Sequence, residues 1–423
     1  MYHGHMDFDI VFIYGALIIR DNPSYWNALG VDYHCEMGYE HHFVLSEVYH
    51  YPLHQFLLDV TGKWVGKPPI KSYTINGLSY GKWDKNNGNA TGYEIIKVVP
   101  GKTYRFRVIN VAADSLLRWK IEGHRLRVIE MDGILAFPVW TNHLEINSGQ
   151  RYSVLVTMDK TIDNYWIQSE KIGGPGPGGP DNGRAILSYV GASDPTRMQK
   201  LVFPNVTQSI KPTSWILPQL QPNRLLAQTE VYKLDPFKKS DRKIKVDTHM
   251  VFNDKGERVF LINGHAFKKP EKALLTQVRQ GIDISKTDPL IFEVIQDEIV
   301  DIIFQNRVIE QGPCIQHPIH LHGHSFYIVA EGPDVVDTSK LDDIIHKNLL
   351  NRVVQFRDTF TMFPYQIKEN TTSGAGCGWT VIRFLANNPG IWLSHCHITT
   401  HMLIKKLFVI YEYSHDNPRL YNE

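Results

Sequence analysis

At three places the sequence pairs histidines as His-X-His: His3 with His5, His320 with His322, and His395 with His397. In an extended strand residues i and i+2 leave the same face, so each pair aims two imidazoles at one point. Imidazole nitrogen suits copper, zinc, iron and nickel, and the remaining ligands narrow the choice. A single pair would carry little weight among 20 histidines, but three in strand-like contexts point to metal. The most informative run is His395-Cys396-His397-Ile398-Thr399-Thr400-His401. Read as extended, it sends His395 and His397 to one side and Cys396 to the other. The thiolate can then bind one metal while its sequence neighbours bind another, which makes a covalent wire between two centres. His317, of opposite parity to His320, can turn to the cysteine side and join His401 there. Two histidines, one cysteine and a weak axial group make the ligand set of a blue-copper electron-transfer site.

Such ligands need stiff strands to carry them. Runs of alternating or continuous β-branched and aromatic residues recur, as at 104–109, 152–156 and 407–410, separated by turn residues such as Pro100-Gly101, Asp132-Gly133 and Asn388-Pro389-Gly390. Short strands at this spacing predict an all-β chain of antiparallel sandwiches or barrels rather than βαβ units. The pattern is densest from Glu40 to Gly191 and from Val246 to Tyr413, with a Pro/Gln/Lys-rich passage around Pro204 to Pro236 between them. The expected organisation is a domain over 40–191, a connection over 192–245 and a domain over 246–423. Residues 1–30 are too few to close a sandwich. The tract Gly173 to Pro180 is expected to be a mobile loop inside the first domain, because a strand candidate at 184–189 follows it at once.

Composition limits the partners. With 43 % apolar and 21 % charged residues in 423, the chain has ample material for packed cores. Its 45 basic and 44 acidic side chains leave a net charge of +1 with no long run of either sign, so a small molecule is the expected partner, not nucleic acid or an anionic membrane. The longest apolar run, Ile10 to Ile19, is about half of the ~20 residues needed to span a bilayer, and Asp9 and Arg20 close it. Residues 1–5 offer no basic n-region and no small-residue cleavage site follows the run, so no secretory signal is expected within these residues. Cys35, Cys314, Cys377 and Cys396 are too few for a disulfide scaffold and fit no zinc spacing.

The motif His317-Pro318-Ile319-His320-Leu321-His322-Gly323-His324 together with His395 to Met402 resembles the two C-terminal copper motifs of multicopper oxidases, in the laccase and ascorbate oxidase branch. Tyr2-His3-Gly4-His5 resembles the second N-terminal copper motif of that family, and 100–110 with Ile121-Glu122-Gly123-His124 is similar to its middle domain. The resemblance implies tandem cupredoxin-like Greek-key sandwiches, two complete and one an N-terminal remnant. It also implies that His317, Cys396 and His401 hold a type 1 copper, that His320 serves a type 2 copper, and that His3, His5, His322, His395 and His397 serve a type 3 pair. Electrons taken singly from a phenolic or related aromatic donor would pass through Cys396, His395 and His397 to the cluster that reduces dioxygen to water. A ferrous-ion oxidase is the alternative donor class, kept open by the acidic loop Glu331 to Asp343. His124 and His324 are not expected ligands, and the adjacent His41 and His42 are expected to be solvated. Asp114 is similar in position to the acidic substrate-pocket residue of fungal laccases, which would accept the phenolic proton. An ordinary surface-loop aspartate is the alternative there.

The sequence departs from the family in two places. No His-Trp-His-Gly motif is present, so one type 2 and one type 3 ligand are expected to be missing. The chain is then either a fragment of a three-domain, secreted oxidase or a short, non-catalytic copper-binding form, and the intact remaining motifs favour the fragment. The second departure is Lys405-Lys406, where the family places a Gly and an axial Met, Leu or Phe. An ammonium cannot ligate copper and is costly to bury. Three outcomes are open for this position: Lys406 swings outward and leaves a three-coordinate copper, Leu407 fills the gap after a register change, or the type 1 site is damaged. With Cys396 on copper, the other three cysteines cannot all pair among themselves, and an extra partner is expected upstream. Sequons at Asn89, Asn205 and Asn370 are compatible with a secreted glycoprotein.

Overall fold

The computed structural model describes residues 1–5, 9, 12–20, 38–49, 55, 70, 72–79, 92–172, 182–195, 219–220, 222, 234–351, 354–365 and 372–414. Cys35, the tract Gly173 to Pro180, most of the 192–245 connection and the asparagines of all three sequons lie outside the described residues. The described chain falls into two compact units, one before Ile216 and one after it. Each is a sandwich of a six-stranded and a five-stranded sheet, so the all-β expectation holds.

In the first unit the six-stranded sheet runs, in spatial order, Ser72–Ile75, Glu40–Val48, Thr103–Asn110, Arg151–Thr157, Leu126–Met131, Ile134–Thr141. The five-stranded sheet runs Leu144–Ile146, Leu117–Ile121, Asn164–Lys171, Gly183–Tyr189, Glu94–Val98. The second unit's six-stranded sheet runs Arg258–Ile262, Arg242–Phe252, Ile299–Arg307, Gly376–Leu385, Phe326–Gly332, Phe356–Arg357. Its five-stranded sheet runs Ile291–Ile295, Leu407–Tyr413, Gly390–Cys396, His317–Leu321, Thr359–Met362. Counted within its own unit, each strand occupies the same place in both sandwiches, so the molecule repeats one topology.

The sheets are not purely antiparallel, and this corrects the expectation. Each contains one parallel pair: Glu40–Val48 with Thr103–Asn110, Glu94–Val98 with Gly183–Tyr189, Arg242–Phe252 with Ile299–Arg307, and Ile291–Ile295 with Leu407–Tyr413. Parallel neighbours cannot be joined by a hairpin, so the chain must cross between sheets, as Greek-key sandwiches require.

Alternation puts the core where the site needs it. Along Arg242–Phe252, Ile244, Val246, Thr248 and Met250 are buried while their neighbours are more exposed. Facing strands contribute Phe304, Phe326, Phe360 and Phe408, and Cys396 and Ile319 belong to the same apolar cluster. Two covalent or ionic ties close this unit. Arg383 forks onto Asp301 at 2.6 and 2.8 Å and donates to the carbonyls of Pro236 and Lys238. Cys314 and Cys377 form a disulfide across 63 residues, so the expected upstream partner concerns Cys35 alone, which lies outside the described residues.

Candidate metal centre

Strand register decides which imidazoles meet. His320 is paired with His395 and Ile319 with Cys396 across the His317–Leu321 and Gly390–Cys396 strands. Directly paired residues share a face, so His320 and His395 lie on one side and Cys396 on the other. His317, in step with Ile319, falls on the cysteine side. There the Nδ1 atoms of His317 and His401 lie 3.2 Å apart, and Cys396 Sγ lies 3.8 Å from His317 Nδ1 and 3.5 Å from His401 Nδ1. All three residues are buried.

The run after Cys396 is not extended as expected. The strand ends at Cys396, and a short helix, Thr399–Leu403, carries His401 back toward the thiol. The parity argument survives because only one further residue has to stay extended: the rings of His395 and His397 lie 5.6 Å apart. On their face His322 Nε2 comes 3.2 Å from His395 Nε2, and the His320 ring lies 4.8 Å from His322 and 6.2 Å from His397. Four of the expected ligands thus gather on this face of the second unit, and three on the cysteine side. Their orientation is fixed from behind: His320 Nδ1 bonds the Asp358 carbonyl at 2.8 Å, and the peptide N–H of His397 donates to Pro318 O at 2.6 Å. A cavity of about 410 Å³ opens beside His320, lined also by Gly323, His324, Asp358 and Asn388. His3 and His5 belong to the first unit, where their rings stack 5.6 Å apart.

Lys406 neither swings outward nor yields its place to Leu407. It is 2 % exposed, and Leu407 keeps its ladder position opposite His395. Its Nζ donates to Thr248 Oγ1 at 2.8 Å and stands 4.3 Å from the centre of the Phe260 ring. Burial pushes its ammonium down to about 7. The local cause is the helix terminus. The N–H groups of Lys405 and Lys406 bond the carbonyls of Met402 and His401, and Lys405 sits at φ +79°. This is a Schellman ending, in which the residue after the left-handed position turns back onto the helix.

The remaining candidates divide. Asp114 is half-buried on the first unit, and its peptide N–H donates to Glu47 at 2.6 Å. Sequence reasoning missed Glu47, although a glutamate inside the apolar run Phe43 to Val48 is a visible signal. Its carboxylate also accepts from Ser115 and Tyr49, and burial together with the Asp114 charge pushes it up to about 7. His41 is half-buried rather than fully solvated: its ring stacks on Tyr104, and burial lowers its pKa. His42 is exposed. His124 is buried against Tyr189, and His324 is buried against Glu412 at 2.8 Å, so both have structural partners. In the acidic loop, Asp337 pairs with Lys340 and Asp342 with Lys243, which leaves less free negative charge for a cation than the sequence suggests.

The sulfur and two Nδ1 atoms lie within 4.8 Å of one another on a buried, stiff frame, a donor set that suits copper. Models of one family, multicopper oxidase, match residues 40–192 and 252–414. The laccase of Trametes maxima is 32 % identical over 335 residues, covering 77 % of this chain and 58 % of the relative. The L-ascorbate oxidase of Cucurbita maxima is 27 % identical, covering 95 % of this chain and 71 % of the relative. Among solved structures, Fet3p, a multicopper oxidase that functions in iron import, aligns with a TM-score of 0.64 at 23 % identity, over 90 % of this chain and 67 % of its own. The laccase from Botrytis aclada aligns with a TM-score of 0.62 at 22 % identity, over 88 % and 63 %. These two share the fold. The chain spans only 58 % of the Trametes laccase's length.

Proposed function

This chain belongs to the multicopper oxidase family, and we propose that it is a copper-dependent oxidase of laccase type. It takes electrons one at a time from phenolic or related aromatic donors and delivers them to dioxygen. The observation that carries this reading is the division at Cys396: its thiol joins His317 and His401, while His395 and His397 on either side of it join His320 and His322. Cys396, His317 and His401 would hold a copper that supplies a one-electron acceptor when bound, and the backbone from Cys396 joins that group to His395 and His397 on the other face. Four donor molecules give up four electrons and four protons, which balances the reduction of one dioxygen to two waters. Asp114, whose peptide N–H donates to the Glu47 carboxylate, is the group we assign to receive the phenolic proton. The cavity beside His320 offers small molecules a way to that imidazole.

The Cys314–Cys377 disulfide supports a secreted protein in an oxidising compartment. No helix among the described residues is long and apolar enough to cross a membrane. Copper-loaded protein is expected to absorb intensely in the visible through the cysteine–copper bond, and Cys396→Ser to abolish that band. Dioxygen uptake should follow added phenol and exceed uptake with ferrous ion. Equal turnover on ferrous ion would shift the donor class to metal ions. A colourless, inert copper-loaded protein would overturn the oxidase assignment.

A further inference from the structure

Lys406 has no place in the proposed chemistry, yet it is buried next to it. Its peptide N–H donates to the carbonyl of His401, and its own carbonyl accepts from the N–H of Cys396. The backbone of Lys406 is therefore hydrogen-bonded to two of the three residues of the thiol–imidazole cluster. Its side chain is controlled from elsewhere. Thr248, on the Arg242–Phe252 strand, gives its hydroxyl proton to the Gln305 carbonyl at 3.1 Å, which leaves its oxygen as an acceptor for Lys406 Nζ. Phe260, on the Arg258–Ile262 strand, presents its face to the same nitrogen. The Phe260 ring also packs against both imidazoles, 5.6 Å from His317 and 5.2 Å from His401. Its N–H donates to Ile404 O at 2.7 Å, which ties the strand to the turn that carries the lysine.

A nitrogen that ligates a metal must aim its lone pair at it. Lys406 Nζ instead spends one N–H on Thr248 and rests on a ring face, which attracts the hydrogen-bearing, positive end of a group. We propose that Thr248 and Phe260 are positioning residues of the centre: they hold the amino group of Lys406 outside the coordination shell, so that Cys396, His317 and His401 are the metal's only protein ligands. This deepens the copper reading given above and rests on it. The strength and identity of the axial group tune the potential of such centres. A site kept free of a fourth ligand favours the lower-coordinate reduced ion, which suits an acceptor of electrons from aromatic donors.

The test uses the copper-loaded chain, with visible and paramagnetic resonance spectra and the reduction potential as readouts. Lys406→Leu should keep the wild-type spectrum, because it removes a group that does not touch the metal. Lys406→Met should bring a thioether within reach, shift the spectrum and lower the potential. Thr248→Val should release the amine, move the spectrum and lower the potential, and Thr248→Ser should restore both. Melting of the copper-free variants separates misfolding from a change of coordination, and Lys406→Leu, which removes a buried amine, is expected to melt no lower than wild type. Loss of the wild-type spectrum in Lys406→Leu would show that the amine is itself a ligand and would overturn the proposal. So would a Thr248→Val variant whose spectrum and potential both stay at the wild-type values. A wild-type chain with no cysteine–copper absorption has a different signature, one that refutes the copper reading itself.

Discussion

A carboxylate that accepts three hydrogen bonds would ordinarily be held in its charged form, yet Glu47 is pushed up to about 7, because burial and the Asp114 charge outweigh Ser115, Tyr49 and the Asp114 peptide. The folded protein therefore binds a proton at Glu47 more tightly than the unfolded chain, whose glutamates titrate near 4.5. Stability from this group is fully present below pH 4.5 and is lost as the pH rises through about 7. The displacement corresponds to roughly 3 kcal/mol. Glu47→Gln keeps an acceptor oxygen without the charge. The melting temperature of the first unit should then stay flat from pH 4.5 to 7.5 in the variant while it falls in wild type, which a calorimetric pH series reads directly. A parallel fall in both proteins would move the effect to another group. Tyr49, Tyr73 and Ser115 face the carboxylate as uncharged groups, and Asp114 is the charged neighbour that acts on it. At this scale the sequence was informative about the cluster and silent about what controls it. His317, Cys396 and His401 declare themselves by type and spacing, but Thr248, Phe260 and Glu47 act through contacts with residues 158, 146 and 67 positions away or so, distances over which no spacing rule operates.

Between strand and helix, one turn decides where His401 goes. The five-residue helix Thr399–Leu403 is too short to stand by propensity, so its Schellman ending and the packing of His401 beneath it hold it in place. The left-handed residue of that ending is Lys405, at φ +79°, where an L side chain is strained and glycine is not. Lys405→Gly should raise the stability of the second unit by ~1 kcal/mol and leave the metal spectrum unchanged; a destabilised variant would mean that the lysine side chain itself braces the turn. The segment that leads into the His317–Leu321 strand is held by the Cys314–Cys377 disulfide, which ties it to Gly376–Leu385. Cys314→Ser with Cys377→Ser should cost about 2–4 kcal/mol, read as a lower melting temperature of the second unit. Parity along a strand could be read from the sequence, since it depends on neighbours alone. The change from strand to helix after Cys396 could not, because Ile398, Thr399 and Thr400 favour extended structure locally and only tertiary contacts reverse them.

Across the whole chain, two sandwiches share one strand order but only one carries the thiol–imidazole cluster. The places held by His317–Leu321 and Gly390–Cys396 in the second unit are held by Leu117–Ile121 and Asn164–Lys171 in the first. Neither of those strands contains a histidine or a cysteine, and their Trp119 and Trp166 side chains fill the interior. Strand character and the two dense stretches were legible from local pattern. The repeat was not, because strand order is set by pairings between distant segments and no shared motif marks it. The asymmetry has a thermodynamic consequence. A ligand stabilises the fold that creates its site, so metal held as proposed by Cys396, His317 and His401 would stabilise the second unit, by ~4 kcal/mol when free metal stands at a thousand times its dissociation constant. Scanning calorimetry with one equivalent of copper should therefore raise a transition that contains the second unit and leave the first unit's transition where it stands without metal. Cys396→Ser should cancel the rise, and reduction of the Cys314–Cys377 disulfide should lower the same transition. Because the two perturbations act on one unit from opposite directions, a copper-induced rise in the transition that Glu47→Gln affects, with the disulfide-sensitive one unmoved, would place the metal on the first unit and refute the assignment.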